Sequence, residues 1–175
     1  MMKIRKTTSA DRQYIAKLQT EAFGELKGPT IAELALGLLE DETALPITSL
    51  VGELDGEIIG HIIFTNVSIG GDKNVSASIL APLAVSTSKQ RQGVGHALMK
   101  EGLKHLEEAG VQLVFVLGHP TYYPKVGFLP KAGKLGFEAP YHIPEEHSDA
   151  WMVMELQQGV IGNVSGKVEC SRVLN

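Results

Sequence analysis

The chain has 175 residues, 43% hydrophobic and 21% charged, with a formal net charge of −4. This is the composition of a globular protein with enough apolar residues for a core, and we expect one domain spanning residues 1–175. The acidic balance supplies no general field for nucleic acid. No run nears the roughly 18 apolar residues that span a bilayer, so neither nucleic acid nor membrane is an expected partner. Cys170 is the one cysteine, which excludes an intrachain disulfide and suits a reducing compartment. "MMKIRKTTSADRQYI" lacks a signal-peptide core, so the expected location is the cytoplasm.

In chain order, "TTSADRQYIAKLQTEAF" offers Ser9 as an N-cap, then Ile15, Leu18 and Ala22 or Phe23 at helical spacing. Gly24 and Gly28-Pro29 are expected to break that helix. "TIAELALGLLEDE" reads as a second one, with Ile31, Leu34, Leu38 and Leu39 on one side. Residues 49–85 are β-branched segments split at Asp55-Gly56 and at Gly70–Asn74, which predicts three antiparallel strands. A helix follows Gly95, carrying Val94, Leu98, Leu103 and Leu106 and ending at Gly110. Gly102 inside it costs roughly 1 kcal/mol relative to alanine, so close packing against a strand is expected there. "VQLVFVLG" has the pattern of a buried strand, "HPTYYPKVGF" of a turn or short helix, and "WMVMEL" and "GKVEC" of late strands. The order predicts an α+β (mixed α/β) fold with a strand–helix–strand crossover over about residues 75–117.

Gly93 and Gly95 open the helix after residue 93, where two poor helix formers need a reason. One reading is a tight turn. The other is an anion cradle, because glycine lets a ligand approach the backbone and the first helical N–H groups lack internal partners. A dinucleotide fingerprint would need glycine where Leu98 stands, and neither Gly133-Lys134 nor Gly166-Lys167 is followed by the Ser or Thr of a P-loop.

Gln90-x-x-Gly93-x-Gly95, after "LAPLAV" and opening a helix, resembles the acetyl-CoA motif of the GNAT superfamily of N-acetyltransferases. Tyr123-x-x-x-Gly127-Phe128, one helix and one strand later, is similar to that family's second landmark. The likeness extends to the bacterial subgroup pattern "LGPLAV…QGxGxxL…VLGDPxYYxxxGF", with two departures. His119 stands where aspartate is usual, and "LQQGVIGNVSGKV" lacks some of the small residues of the C-terminal pattern. The resemblance implies a central, mostly antiparallel twisted sheet flanked by helices, with a parallel strand pair splayed apart at about 80–86 and 111–117.

It also implies site residues. Backbone N–H groups of Arg91, Gln92, Gly93, Val94, Gly95 and His96 would hold the pyrophosphate of acetyl-CoA, with Gln90 in the motif. Leu83, Ala84 and Val85 would lie along the pantetheine arm, and Tyr123 would protonate the departing thiolate. Tyr122 competes for that role. The acceptor would be a small-molecule or peptide amine, no metal is required, and homodimers are common in the family.

Glu53, Glu57, His61 and Asn66 are candidate bases, and water is an alternative. His61, in the apolar "IIGHIIF", reads best as a satisfied core histidine. "HIPEEH" (His142, Glu145, Glu146, His147) has no established zinc spacing and reads as a solvated loop. Trp151, Met152 and Met154 read as core, with an acceptor wall as the alternative, and Cys170 as a small residue near the last strand. Two rivals to the enzyme are a catalytically silent acyl-CoA-binding module and a small-anion or nucleotide binder resting on the glycine turn alone.

Overall fold

The computed structural model describes residues 1–174. In chain order it contains β1 (Lys3–Lys6), α1 (Arg12–Glu40), β2 (Thr48–Leu54), β3 (Glu57–Ile69), β4 (Asp72–Val85) and α2 (Val94–Glu108). β5 (Leu113–Leu117), β6 (Phe137–Glu138), β7 (Trp151–Glu155) and β8 (Gly166–Glu169) complete it. The sheet runs β1-β2-β3-β4-β5-β7, antiparallel except for β4 and β5, which α2 connects as the expected crossover. β8 pairs with the far end of β3 and carries β6 beside it.

The two faces of the sheet bury different partners. On one, Leu98, Met99 and Leu106 of α2 pack on Ile62, Phe64, Leu80, Val114 and Val116. On the other, Phe115 stacks on Trp151 at 5.3 Å and meets Phe137 edge-on, while α1 covers β2, β3 and β4. Gly102 lies where its sequence position suggested: a Cβ there would overlap Cε2 of Phe64 on β3. Gly102→Ala gains helix propensity but forces Phe64 aside, and overpacking wins. We expect a loss of roughly 1–2 kcal/mol by urea unfolding; a more stable variant would contradict this packing.

Two local expectations need correction, the expected break at Gly24 holds, and two short strands had no forecast. The cap lies one residue earlier than Ser9: the Thr8 N–H donates to Asp11 Oδ2 at 2.8 Å, opening a short 3-10 turn over Ser9–Asp11 ahead of α1. Asp11 also receives both arms of the Arg5 guanidinium at 2.8 and 2.9 Å. Gly24 alone leaves the helical region (φ 82, ψ 175), so α1 is two helical segments meeting at one kink. Gly28 is not a break. It sits inside the second segment, where a Cβ would strike the Thr20 carbonyl, so glycine lets the two segments touch. β1 and β6 escape the pattern because four and two residues are too short to show alternation.

The parallel pairing of β4 with β5 runs from Ala77↔Leu113 to Leu80↔Val116 and stops. The splay therefore begins after Leu80, not along the whole of 80–86. Its cause is a bulge. The β3–β4 register shifts between Ile62↔Leu83 and Phe64↔Leu80, so Ala81 and Pro82 together oppose Ile63. Pro82 has no N–H to give a ladder, and a bulge is where a strand tolerates that. Beyond it β4 continues beside β3, while β5, paired with β7 along its whole length, has lost β4.

Candidate active site

Past the bulge, one edge of β4 is free. The Ser86 N–H donates to Ile59 O at 2.8 Å, so Ser86 faces β3. The two-residue alternation then turns the N–H and C=O of Leu83 and Val85 away from β3, toward the gap left by β5. Ala84, opposite His61, turns its backbone groups to β3 instead. The Val85 carbonyl accepts the Gln90 Nε2–H at 3.1 Å, and the Gln92 Nε2–H goes to Ser88 O at 3.2 Å. The glutamine of the motif thus braces the loop against β4.

The loop then delivers the start of α2 to that edge. Arg91 (φ 62) and Gly93 (φ 86) are left-handed with Gln92 between them on the ordinary side. Such alternation turns successive amides the same way, forming a nest for an anion. Nothing lies within 4 Å of a Cβ built on Gly93, so its conformation alone calls for glycine. The Ala97 N–H bonds to Gly93 O at 3.0 Å, whereas the N–H groups of Arg91 through His96 have no partner among the described residues. They gather at the positive end of a 15-residue helix. Arg91 and His96 are exposed beside them, while the Val94 side chain is buried and only its amide belongs to the cradle.

Gly95 differs from Gly93. Its φ is not left-handed, and a Cβ there would meet Val85 Cγ2 at 3.5 Å, Leu83 Cδ2 at 3.7 Å and Tyr122 Oη at 3.7 Å, ordinary contacts all. Neither backbone strain nor packing requires glycine at this position. It leaves a methyl-sized recess between the unpaired amides and the free edge of β4. That combination fits a phosphorylated ligand with an extended arm.

The tyrosine pair stands at the mouth. Tyr122 and Tyr123 have ring centroids 5.0 Å apart at 83°, an edge-to-face contact. Tyr123 packs on Phe128 (5.6 Å, edge-on) and lies so close to Gly118, just after β5, that a Cβ there would collide with its ring. Burial, aided by Tyr122, pushes the Tyr123 phenol up to about 12, so it stays protonated at neutral pH. Tyr122 is more exposed and directs its hydroxyl to Gly95. No spacing in the sequence announces this placement. Pro82, a proline inside a strand, was the available signal for the bulge.

The candidate bases do not gather here. Glu53 pairs with Arg5 at 3.3 Å, Glu57 is exposed at the start of β3, and Asn66 lies opposite Ser78, in the stretch where β4 still pairs with β5. His61 is a buried core residue. With the Gln19 amide donating to Nδ1 (3.0 Å), Nε2 carries the proton and donates to Ser49 Oγ (2.9 Å), which bonds Thr7 Oγ1 (2.7 Å). This network helps dock α1, which meets β2 where Ile15 packs with Val51 and β3 where Gln19 meets His61, and also lies against β4.

Desolvation pulls the His61 pKa down to about 4, against a small opposing pull from Asp11. The folded protein thus binds fewer protons than the unfolded chain between pH 4 and 6.5, and stability falls as pH drops through that window. We expect a loss of about 3 kcal/mol between pH 7 and 4. His61→Gln should flatten the curve measured by urea unfolding at pH 4.5–7, and an unchanged slope would assign the effect elsewhere.

On the face covered by α1, Trp151 donates its Nε1–H to Phe137 O at 2.8 Å and helps line a cavity of about 640 Å³ with Tyr141, Lys134, Glu145 and Lys167. Met152 is buried on the α2 side and Met154 packs at its edge, so this pair serves the core.

The family model described as an acetyltransferase (GNAT) domain matches residues 3–130. The chain is 43% identical over 166 residues to the uncharacterized N-acetyltransferase YjhQ of Escherichia coli strain K12, covering 94% of this chain and 90% of that one. Its fold matches the crystal structure of the E. coli GNAT family N-acetyltransferase YhbS in complex with CoA. The TM-score is 0.88 at 29% identity, over 99% of this chain and 92% of YhbS. A GNAT family acetyltransferase from Brucella melitensis, solved with acetyl-CoA, matches at a TM-score of 0.78 and 26% identity, over 100% and 99% of the two chains. An open sheet with one splayed parallel pair and a glycine-opened helix at the splay agrees with these matches throughout: the chain belongs to the GNAT family of N-acetyltransferases.

Proposed function

We propose that this protein transfers an acetyl group from acetyl-CoA to a primary amine by direct attack within a ternary complex. One juxtaposition carries the reading: the unpaired amides of Arg91–His96 stand beside the free edge of β4, with Gly95 bare between them. Relatives of the same fold hold CoA or acetyl-CoA, which supports the choice of cofactor. The amides and helix dipole would take the pyrophosphate, and the pantetheine arm would lie along Leu83 and Val85 like an added strand.

The amine nitrogen attacks the thioester carbonyl carbon, and a backbone N–H near Leu83 stabilises the resulting oxyanion. The carbon–sulfur bond then breaks. Tyr123 gives its proton to the departing thiolate and regains one from solvent, and the amine's proton passes to solvent, because His61 is enclosed and Glu53 is held by Arg5. A phenol held near pKa 12 is still protonated where a primary amine, with an ordinary pKa of about 10.4, becomes free base.

The test is CoA release from acetyl-CoA over a panel of small primary amines, free peptide N-termini and lysine peptides, beside thermal shifts with CoA, ATP and NAD. Stabilisation by CoA alone together with amine-dependent turnover is the expected result. Stabilisation by ATP or NAD with none by CoA would overturn the reading.

A further inference from the structure

We infer that Tyr122 is a cofactor-binding residue, its hydroxyl donating to the phosphate at the head of the pantetheine arm. The inference rests on the acetyl-CoA reading and divides the work of the paired tyrosines. Tyr122 Oη lies 3.7 Å from the point where a Cβ of Gly95 would stand, within the same recess as Leu83 Cδ2 and Val85 Cγ2. The recess separates the free amides of the α2 start from the free edge of β4, so an arm passing from one to the other runs under this hydroxyl.

The hydroxyl has no hydrogen-bond partner among the described residues, and the ring is partly exposed, packed edge-on against Tyr123. A phenol free to donate, one residue's width from unpaired backbone N–H groups, completes a donor set for an anion. Tyr123 cannot share that position. Its ring meets Tyr122 edge-to-face and is held against Gly118 and Phe128.

The experiment compares two acetyl donors, acetyl-CoA and S-acetylpantetheine, which keeps the thioester and arm but lacks the phosphates. For Tyr122→Phe, an isosteric change at a partly exposed site, KM for acetyl-CoA should rise on the order of tenfold, the loss of one charge-assisted hydrogen bond. kcat at saturation should hold, the thermal midpoint should not move, and KM for S-acetylpantetheine should be unchanged. Equal losses with both donors would place Tyr122 at the thioester and overturn the assignment. So would a fall in kcat at unchanged KM. Failure of the wild-type protein to bind acetyl-CoA at all is a separate outcome, which overturns the acetyltransferase reading beneath it.

Discussion

Tyr123→Phe should lower kcat at saturating acetyl-CoA by about a hundredfold or more, the usual worth of a placed general acid. The phenylalanine ring keeps the contacts with Phe128 and with the backbone at Gly118, so fold and cofactor affinity should both survive. The loss then belongs to one proton. Gly118→Ala offers a second route to the same result: its methyl would collide with the Tyr123 ring, displacing the hydroxyl without removing it. Steady-state CoA release and CoA affinity, measured on both variants, separate chemistry from binding. A Tyr123→Phe enzyme with kcat within twofold of wild type would assign the proton to another donor.

The second large effect concerns Gly95, where stability and binding should move in opposite directions. Alanine there makes only ordinary contacts, at 3.5 Å or more, and replaces a glycine within the first turn of α2. The folded state should gain up to about 1 kcal/mol. Yet the new methyl fills the recess between the amides and β4, and the dissociation constant for CoA should rise on the order of tenfold. Unfolding in urea and titration with CoA check the two halves separately. A variant that binds CoA as tightly as wild type would return Gly95 to a mere turn residue.

Much of the architecture was legible in the sequence because its signals were local. Asp55-Gly56 and the glycines at 70–71 set the meander, and the continuous apolar run at 113–117 marked a strand buried on both faces. Gly102 announced the close approach of α2 to Phe64. The site was legible only where glycine spacing carried it. Gly93 and Gly95 look alike in the motif, but one answers to backbone conformation and the other to open space. The bulge at Ala81-Pro82, which frees the edge of β4, depends on pairing with β3 and leaves only a proline as its trace.

The tyrosine pair shows the same boundary. Tyr122 caps the 3-10 turn that Tyr123 opens, but which phenol faces Gly95 is decided by the packing of Tyr123 on Gly118 and Phe128. Gly28 misled for a related reason: next to proline it has the look of a break, whereas its need for a bare α-carbon comes from Thr20, eight residues away and one helical segment earlier. In both places a contact between neighbouring segments, invisible to local spacing, chose the outcome.

The most direct measurement is isothermal titration of the purified protein with acetyl-CoA, beside a folded Gly93→Glu/Gly95→Glu variant. Saturable binding by the wild type, abolished by two carboxylates placed among the free amides of α2, is the predicted result. A folded wild-type protein that takes up no acetyl-CoA, or a double variant that binds it equally well, would contradict the cradle and the transfer chemistry built on it.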